Sequence, residues 1–346
     1  MLSARRLLTA FLSFLPLTAT AALSCQSDSG QSVDWWVAIK APRGTDYVYA
    51  DARQPTPAAS AYSMNDTTAG ALTNTLQQLW TLPATTGSYI VWNDEPLPNT
   101  GAYNFSYGHT KGVAAVDTQT NTGFWLSHSI PLFPAGPGLT PTYTGLGSNA
   151  WMYGQDAACL SLDTTTVDAI SYKYLLAHTL VYDTAVAATA PGNFSALARG
   201  DFHNPALCAE ASTLQTVGGT EFSVFAKTPA WNADLWSACV APALSTDLWV
   251  ESWLRGSEEG PACSGTYTTL DVADVDFTAV GGQSWTEYND HSKWAVSSGS
   301  AAGAICFGDI NRMSTQFSRG GGTVCFLDEP ELAAAFRAAT TGTNSC

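Results

Sequence analysis

The sequence predicts a mixed α/β chain, of the α+β kind, organised in two halves. Three observations predict it. Strand-like and helix-like segments alternate along the chain. A Pro/Gly-rich stretch, FPAGPGLTPTYTGLGSN (133–149), lies before the midpoint as a candidate connection. The tripeptide His-x-Lys occurs twice, at His109–Lys111 and His291–Lys293, half a chain apart. The expected layout is a signal peptide over 1–24, a first half over 25–150 and a second over 151–346.

At the N-terminus, Arg5 and Arg6 precede LLTAFLSFLPL (7–17) and the small residues TATAALS. That is the charged, apolar and cleavage region of a secretory signal. The apolar run is too short for a membrane span, which needs about 20 residues, and no later run reaches that length. Strands are predicted over 34–42, 46–50, 88–94, 112–117, 123–130, 221–227, 247–254 and 301–310. These segments are rich in Val, Ile, Trp, Tyr and Phe and are bounded by Gly, Pro, Asn and Asp. Helices are predicted over 69–82, 231–244 and 328–340, the last from Asp328 and Glu329 before Pro330.

The eight cysteines are an even number, as four disulfides in a secreted chain require. None forms Cys-x-x-Cys, which argues against a zinc ribbon or a thioredoxin-like motif. Spacing alone leaves the pairing open. Asn65, Asn104 and Asn193 head N-x-S/T triplets and are candidate glycosylation sites. The net charge of −15 argues against tight general binding to DNA or anionic lipid at neutral pH. With a pI near 4.5, that repulsion fades as the medium becomes acidic. An anionic substrate is therefore handled most easily in an acidic compartment.

His-x-Lys makes a chemical unit. On a strand, residues i and i+2 share a face, so imidazole and ammonium stand side by side. The ammonium neutralises a non-bridging phosphoryl oxygen, and the imidazole attacks phosphorus or carries a proton. Two facing units supply a nucleophile, an acid and two cations, with no metal and no cofactor required. A lone His-x-Lys is usually a solvated strand face. Here the two copies absorb four of the ten His and Lys residues, which favours the chemical reading. His128 follows the first unit as a third candidate, whereas His178 and His203 lack a partner motif and read as structural.

In order and spacing, several segments carry a family resemblance. They are LSCQSDSGQSVDWWVAIKAP (23–42), VWNDEPLP (91–98), GHTKGVAAVD (108–117), GFWLSHSIPLFP (123–134), MYGQDAAC (152–159), DHSKWAVS (290–297), CFGDINR (306–312) and RGGGTVC (319–325). Together they resemble the deoxyribonuclease II family of the phospholipase D superfamily. The resemblance implies two phospholipase D-like halves, each a mixed sheet flanked by helices, related by a pseudo-two-fold. It implies an acid endonuclease that cleaves DNA without divalent metal through a phosphohistidine and leaves 3′-phosphate and 5′-hydroxyl ends. It assigns His109, Lys111, His291 and Lys293 as catalytic, His128 as an additional active-site histidine and Asn311 as support for the second motif. It further implies disulfides Cys25–Cys159, Cys208–Cys239, Cys263–Cys346 and Cys306–Cys325, and a lysosome-like or extracellular location.

The superfamily pattern has an aspartate five residues beyond each lysine. Val116 and Ser298 hold those places here, which leaves Asp117 as the nearest candidate orienter. Two other readings stand beside the DNA endonuclease: the same phosphodiesterase chemistry on RNA or a phospholipid headgroup, and a secreted binding protein or toxin that has lost catalysis.

Overall fold

The computed structural model describes residues 22–101, 104–210, 213–299 and 303–346. Most of the predicted signal peptide, residues 1–21, lies outside them. The fold is mixed α/β, with two large sheets and few helices.

The first sheet has eight strands, all paired antiparallel. Their order is Val181–Ala185, Gly87–Asn93, Lys111–Asp117, Thr122–His128, Gln155–Leu162, Trp35–Lys40, Tyr47–Asp51 and Gln54–Ala59. Two of these strands come after residue 150 in sequence. The second sheet has ten strands, beginning at Cys208–Glu210. At its centre Glu221–Lys227, Gly321–Phe326, Ile305–Gly308, Trp294–Ser297 and Leu248–Glu251 follow one another antiparallel. Leu248–Glu251 then pairs parallel with Thr269–Asp276.

The central strands are buried on both faces, so they read as continuous apolar runs. Trp35, Val37 and Ile39 face a core shared with Phe222, Val224, Phe307 and Phe326 of the second sheet. Trp36 and Ala38, with the opposite parity, face a separate cluster that the helix Ala71–Leu76 covers. The two sheets thus share one core, and the ends of their central strands meet at one edge of it.

The helix Thr164–Leu176 was not predicted. Its opening run of threonines lowers intrinsic helix preference. The side chain of Asp163 caps it, accepting from Thr166 N at 2.7 Å, and Val167, Ile170 and Tyr174 bury its inner face. The predicted helix 69–82 is α over Ala71–Leu76 and 3₁₀ over Gln77–Thr81. The predicted 231–244 helix is a π turn, Trp236–Val240, running into Ala241–Leu244. The third predicted helix spans Pro330–Ala339, with Pro at its start. Disulfides join Cys25 to Cys159, Cys208 to Cys239, Cys263 to Cys346 and Cys306 to Cys325.

Candidate active site

The two His-x-Lys units come together at the edge where the sheets meet. In the first sheet, Asn93 pairs with Lys111, so Asp94 and Glu95 emerge beside that lysine. In the second, Glu251 pairs with Trp294, and Lys293 stands just before that strand. Neither unit lies wholly on a strand: His109 sits in the turn before Lys111, and His291 and Lys293 both precede theirs.

Each unit is fastened to residues of the other sheet or its connections. His109 N donates to Gly320 O at 2.8 Å, and its ring Nδ1 bonds the carbonyl of Asp309. His291 N donates to Gly154 O at 2.9 Å, and Lys293 N donates to Asp156 Oδ1 at 2.9 Å. The first join needs glycine. A Cβ on Gly108 or Gly320 would lie 1.9 or 2.0 Å from the carbonyl oxygen of Ala177.

Between the units lies a cavity of about 310 Å³, lined by His109, Lys111, His291, Lys293, Asn311 and Arg319 among others. A carbonyl can only accept, so His109 Nδ1 carries the proton in the neutral ring. Its Nε2 is left with a free lone pair, 4.0 Å from Asp94 Oδ2. His291 stacks on Tyr153, ring centroids 4.3 Å apart and planes 4° apart, and meets Trp253 edge-on at 4.0 Å. His291 Nε2 is buried without a hydrogen-bond partner among the described residues.

Asp94 is fully buried and receives two cations. Lys111 Nζ donates to Oδ1, and Arg319 Nη2 donates to Oδ2 at 2.9 Å. Burial pushes the Asp94 carboxyl up, but the cations Lys111 and Arg319 outweigh it and hold the group below its usual range. His109 is held well below 6.5 by burial, with Lys111, Arg319 and Lys293 adding to the effect and Asp94 opposing it. Burial and nearby cations lower His291 to about 2. Burial and the charge of Lys111 lower Lys293 to about 8. The free site is thus two neutral imidazoles among cations, an arrangement suited to an incoming anion.

The other candidates fall in different places. Asn311 lines the cavity; its backbone N donates to Gln316 Oε1 at 3.0 Å, and its Oδ1 has no partner among the described residues. His128 is fully buried outside the cavity lining, edge-on to Phe133. Its Nδ1 accepts from Ile130 N at 3.2 Å, and burial lowers it to about 3. Asp117 is not brought to the cavity. It stands at the far end of the Lys111–Asp117 strand, about 20 Å along at ~3.4 Å per residue, and accepts from Gln119 N at 3.0 Å in a turn. Carboxylates reach the site instead through Asp94 and Glu95, which reasoning from sequence did not single out. Their signal was the cluster NDE inside VWNDEPLP. Arg319, also missed, lies in the RGGG segment.

Asn65 is half-buried, its side-chain oxygen accepting from Leu146 N at 2.8 Å. Asn193 is half-buried and donates to Asp168 at 2.8 Å, whereas Asn104 is exposed. Asp94, Glu95 and His109 could also hold a metal ion, since one ligand atom from each falls within 4.8 Å of the others. However, Lys111 and Arg319 already satisfy both oxygens of Asp94, which leaves an ion to compete with two fixed cations. No helix among the described residues is long and apolar enough to cross a membrane.

Imidazoles and side-chain cations converging on one cavity are the equipment of a phosphodiester hydrolase. Comparison with known proteins agrees. Residues 24–346 match the Deoxyribonuclease II family. A putative deoxyribonuclease-2 of Burkholderia thailandensis is 35% identical, covering 90% of each chain. Deoxyribonuclease-2-alpha of Rattus norvegicus is 33% identical over 98% of each chain. Deoxyribonuclease-2-beta of Homo sapiens is 31% identical over 91% of this chain and 90% of its own. The chain belongs to the deoxyribonuclease II family, and it is a nuclease.

Proposed function

We propose that this nuclease is an acid endonuclease that hydrolyses DNA without divalent metal. The observation that carries the reading is the fixed tautomer of His109, whose Nε2 lone pair opens into a cavity shared with His291 and both motif lysines. His109 Nε2 attacks phosphorus as the P–O5′ bond breaks, and His291 gives its proton to the leaving O5′. The intermediate is a 3′-phosphohistidine. His291 then takes a proton from water, whose oxygen attacks phosphorus, and the P–N electron pair returns to His109. The products are a 3′-phosphate and a 5′-hydroxyl. Lys111, Lys293 and Arg319 hold the non-bridging oxygens, and the side-chain amide of Asn311 donates to one of them.

His291 must be protonated in the first step. An entering phosphate offsets the cations that depress it, so substrate binding raises its proton affinity. Two phospholipase D-like halves, each contributing one unit, meet at this single site. A lysosome-like or extracellular acidic setting suits the net charge of −15.

Plasmid nicking at pH ~5 with EDTA present tests the proposal, with RNA and phosphatidylcholine run alongside. Nicking that survives EDTA supports side-chain cations. Loss of nicking that Mg²⁺ restores would favour an ion at Asp94, Glu95 and His109. Turnover of RNA or phosphatidylcholine in place of DNA would move the same chemistry to another substrate. Inactivity on all three would favour a binding role.

A further inference from the structure

Beside His291 the cavity wall continues into a stack of aromatic rings around one guanidinium. Trp253, which lines the cavity, lies 4.4 Å from the Arg255 guanidinium carbon, measured to the ring centroid. Tyr153, which stacks on His291, lies 5.5 Å from it, and Tyr288 lies 3.2 Å from it on the outer side. Arg255 Nη2 donates to the carbonyl of Tyr288. Tyr288 itself is 57% exposed, so the stack leads from the cavity to the surface.

Arg255 differs from three other arginines of the chain: Arg199, Arg312 and Arg319 each pair with aspartate. Arg255 has no carboxylate partner among the described residues, in a chain with 29 acidic and 14 basic residues. Its Nε is buried with no hydrogen-bond partner among them. Aromatic faces attract a guanidinium without neutralising its charge, and they fix its plane in advance. A cation fixed this way, next to a catalytic cavity, is kept for an anion that arrives from outside.

We propose that Arg255 binds the phosphate immediately 3′ of the scissile linkage. The assignment rests on the DNA-cleaving reading above. In that reading His291 protonates the leaving O5′, so the strand on the 3′ side of the cut leaves past His291. Arg255 lies on that side, behind Trp253 and Tyr153. The next phosphodiester of the leaving strand therefore meets the free N–H edge of this guanidinium. The subsite favours cuts within a strand over cuts at its last 3′ linkage, where no further phosphate follows.

The test is a charge cycle between protein and DNA. Oligonucleotide duplexes carry one neutral methylphosphonate in one strand, either 3′ or 5′ of a chosen linkage, and cleavage at that linkage is followed. Wild-type protein is expected to lose about tenfold or more from the 3′ substitution, the scale of a charge-assisted contact, and less from the 5′ one. Arg255→Gln is expected to cleave the unmodified strand more slowly and to lose nothing further from the 3′ methylphosphonate. Arg255→Lys keeps the charge and should keep the penalty. Arg199→Gln, at an arginine that pairs with Asp201 and is no part of this stack, should behave as wild type. Equal 3′ and 5′ penalties in wild type would overturn the proposal without any variant. A full 3′ penalty in Arg255→Gln would overturn it too, since a merely structural arginine gives independent losses. Failure of wild type to cleave the unmodified strand would instead sink the reading beneath it.

Discussion

At the scale of single residues, the two motif histidines differ in what surrounds them. His109 is tied through Nδ1 to a carbonyl, whereas His291 lies between aromatic rings. His109→Ala and His291→Ala should each lower kcat on DNA by about 10²–10⁴-fold. His178→Ala and His203→Ala should stay near wild type; full activity in either motif variant would end the two-unit account. Asp309 gives a separate prediction. Burial raises its carboxyl from 3.8 to about 8. The native state therefore holds a proton that the unfolded chain has lost, and this group's contribution to stability declines as pH rises from 3.8 through about 8. Asp309→Asn mimics the protonated form. It should raise Tm at pH ~7.5 by a few degrees and change it little at pH ~4. An equal shift at both pH values would show that the carboxyl is already ionised in the fold. The histidines and lysines of this site were legible because they are rare and patterned. Asp94 and Arg319 were not, because their pairing joins segments more than 200 residues apart and leaves no local pattern.

At the scale of elements, the site depends on how loops are held. Lys227 Nζ donates to the carbonyls of Gln316, Phe317 and Arg319 at 3.1, 2.7 and 2.5 Å, fixing the loop that delivers Arg319 to Asp94. Lys40 does the same for Tyr153, whose carbonyl it reaches at 2.6 Å. The turn at Gly320 is packed against Ala177, so Gly320→Ala must push the Arg319 segment away. It should reduce cleavage more than tenfold and lower Tm, whereas Asp163→Ala, which removes a helix cap at a cost of about 1 kcal/mol, should lower Tm and spare activity. Equal activity in the two variants would mean the turn does not position the site. Apolar, aromatic-rich strands were readable from composition. Gln155–Leu162 and Gly321–Phe326 were not, since small residues and glycines give no strand signal and only their neighbours make them strands. The helix Thr164–Leu176 was hidden for a related reason, its stability coming from a cap and a buried face.

For the whole molecule, charge and fold together set the working conditions. A chain of net charge −15 repels DNA at neutral pH, and the depressed Lys293 loses its proton as pH rises through about 8. Both effects remove activity on the alkaline side, and coupled imidazoles set the acidic side. The expected maximum lies between about pH 4.5 and 6; a maximum near pH ~8 would contradict both arguments. The presence of two sheets was visible only as a repeated motif, because the shared core that joins them is written in contacts between distant strands. The central claim is that the two units act as one metal-free site with a histidine nucleophile. Its most direct test is end-group analysis of a duplex cleaved in EDTA at pH ~5. Fragments bearing 3′-phosphate and 5′-hydroxyl ends are the expected result, whereas 3′-hydroxyl and 5′-phosphate ends would contradict attack by His109 with departure of O5′.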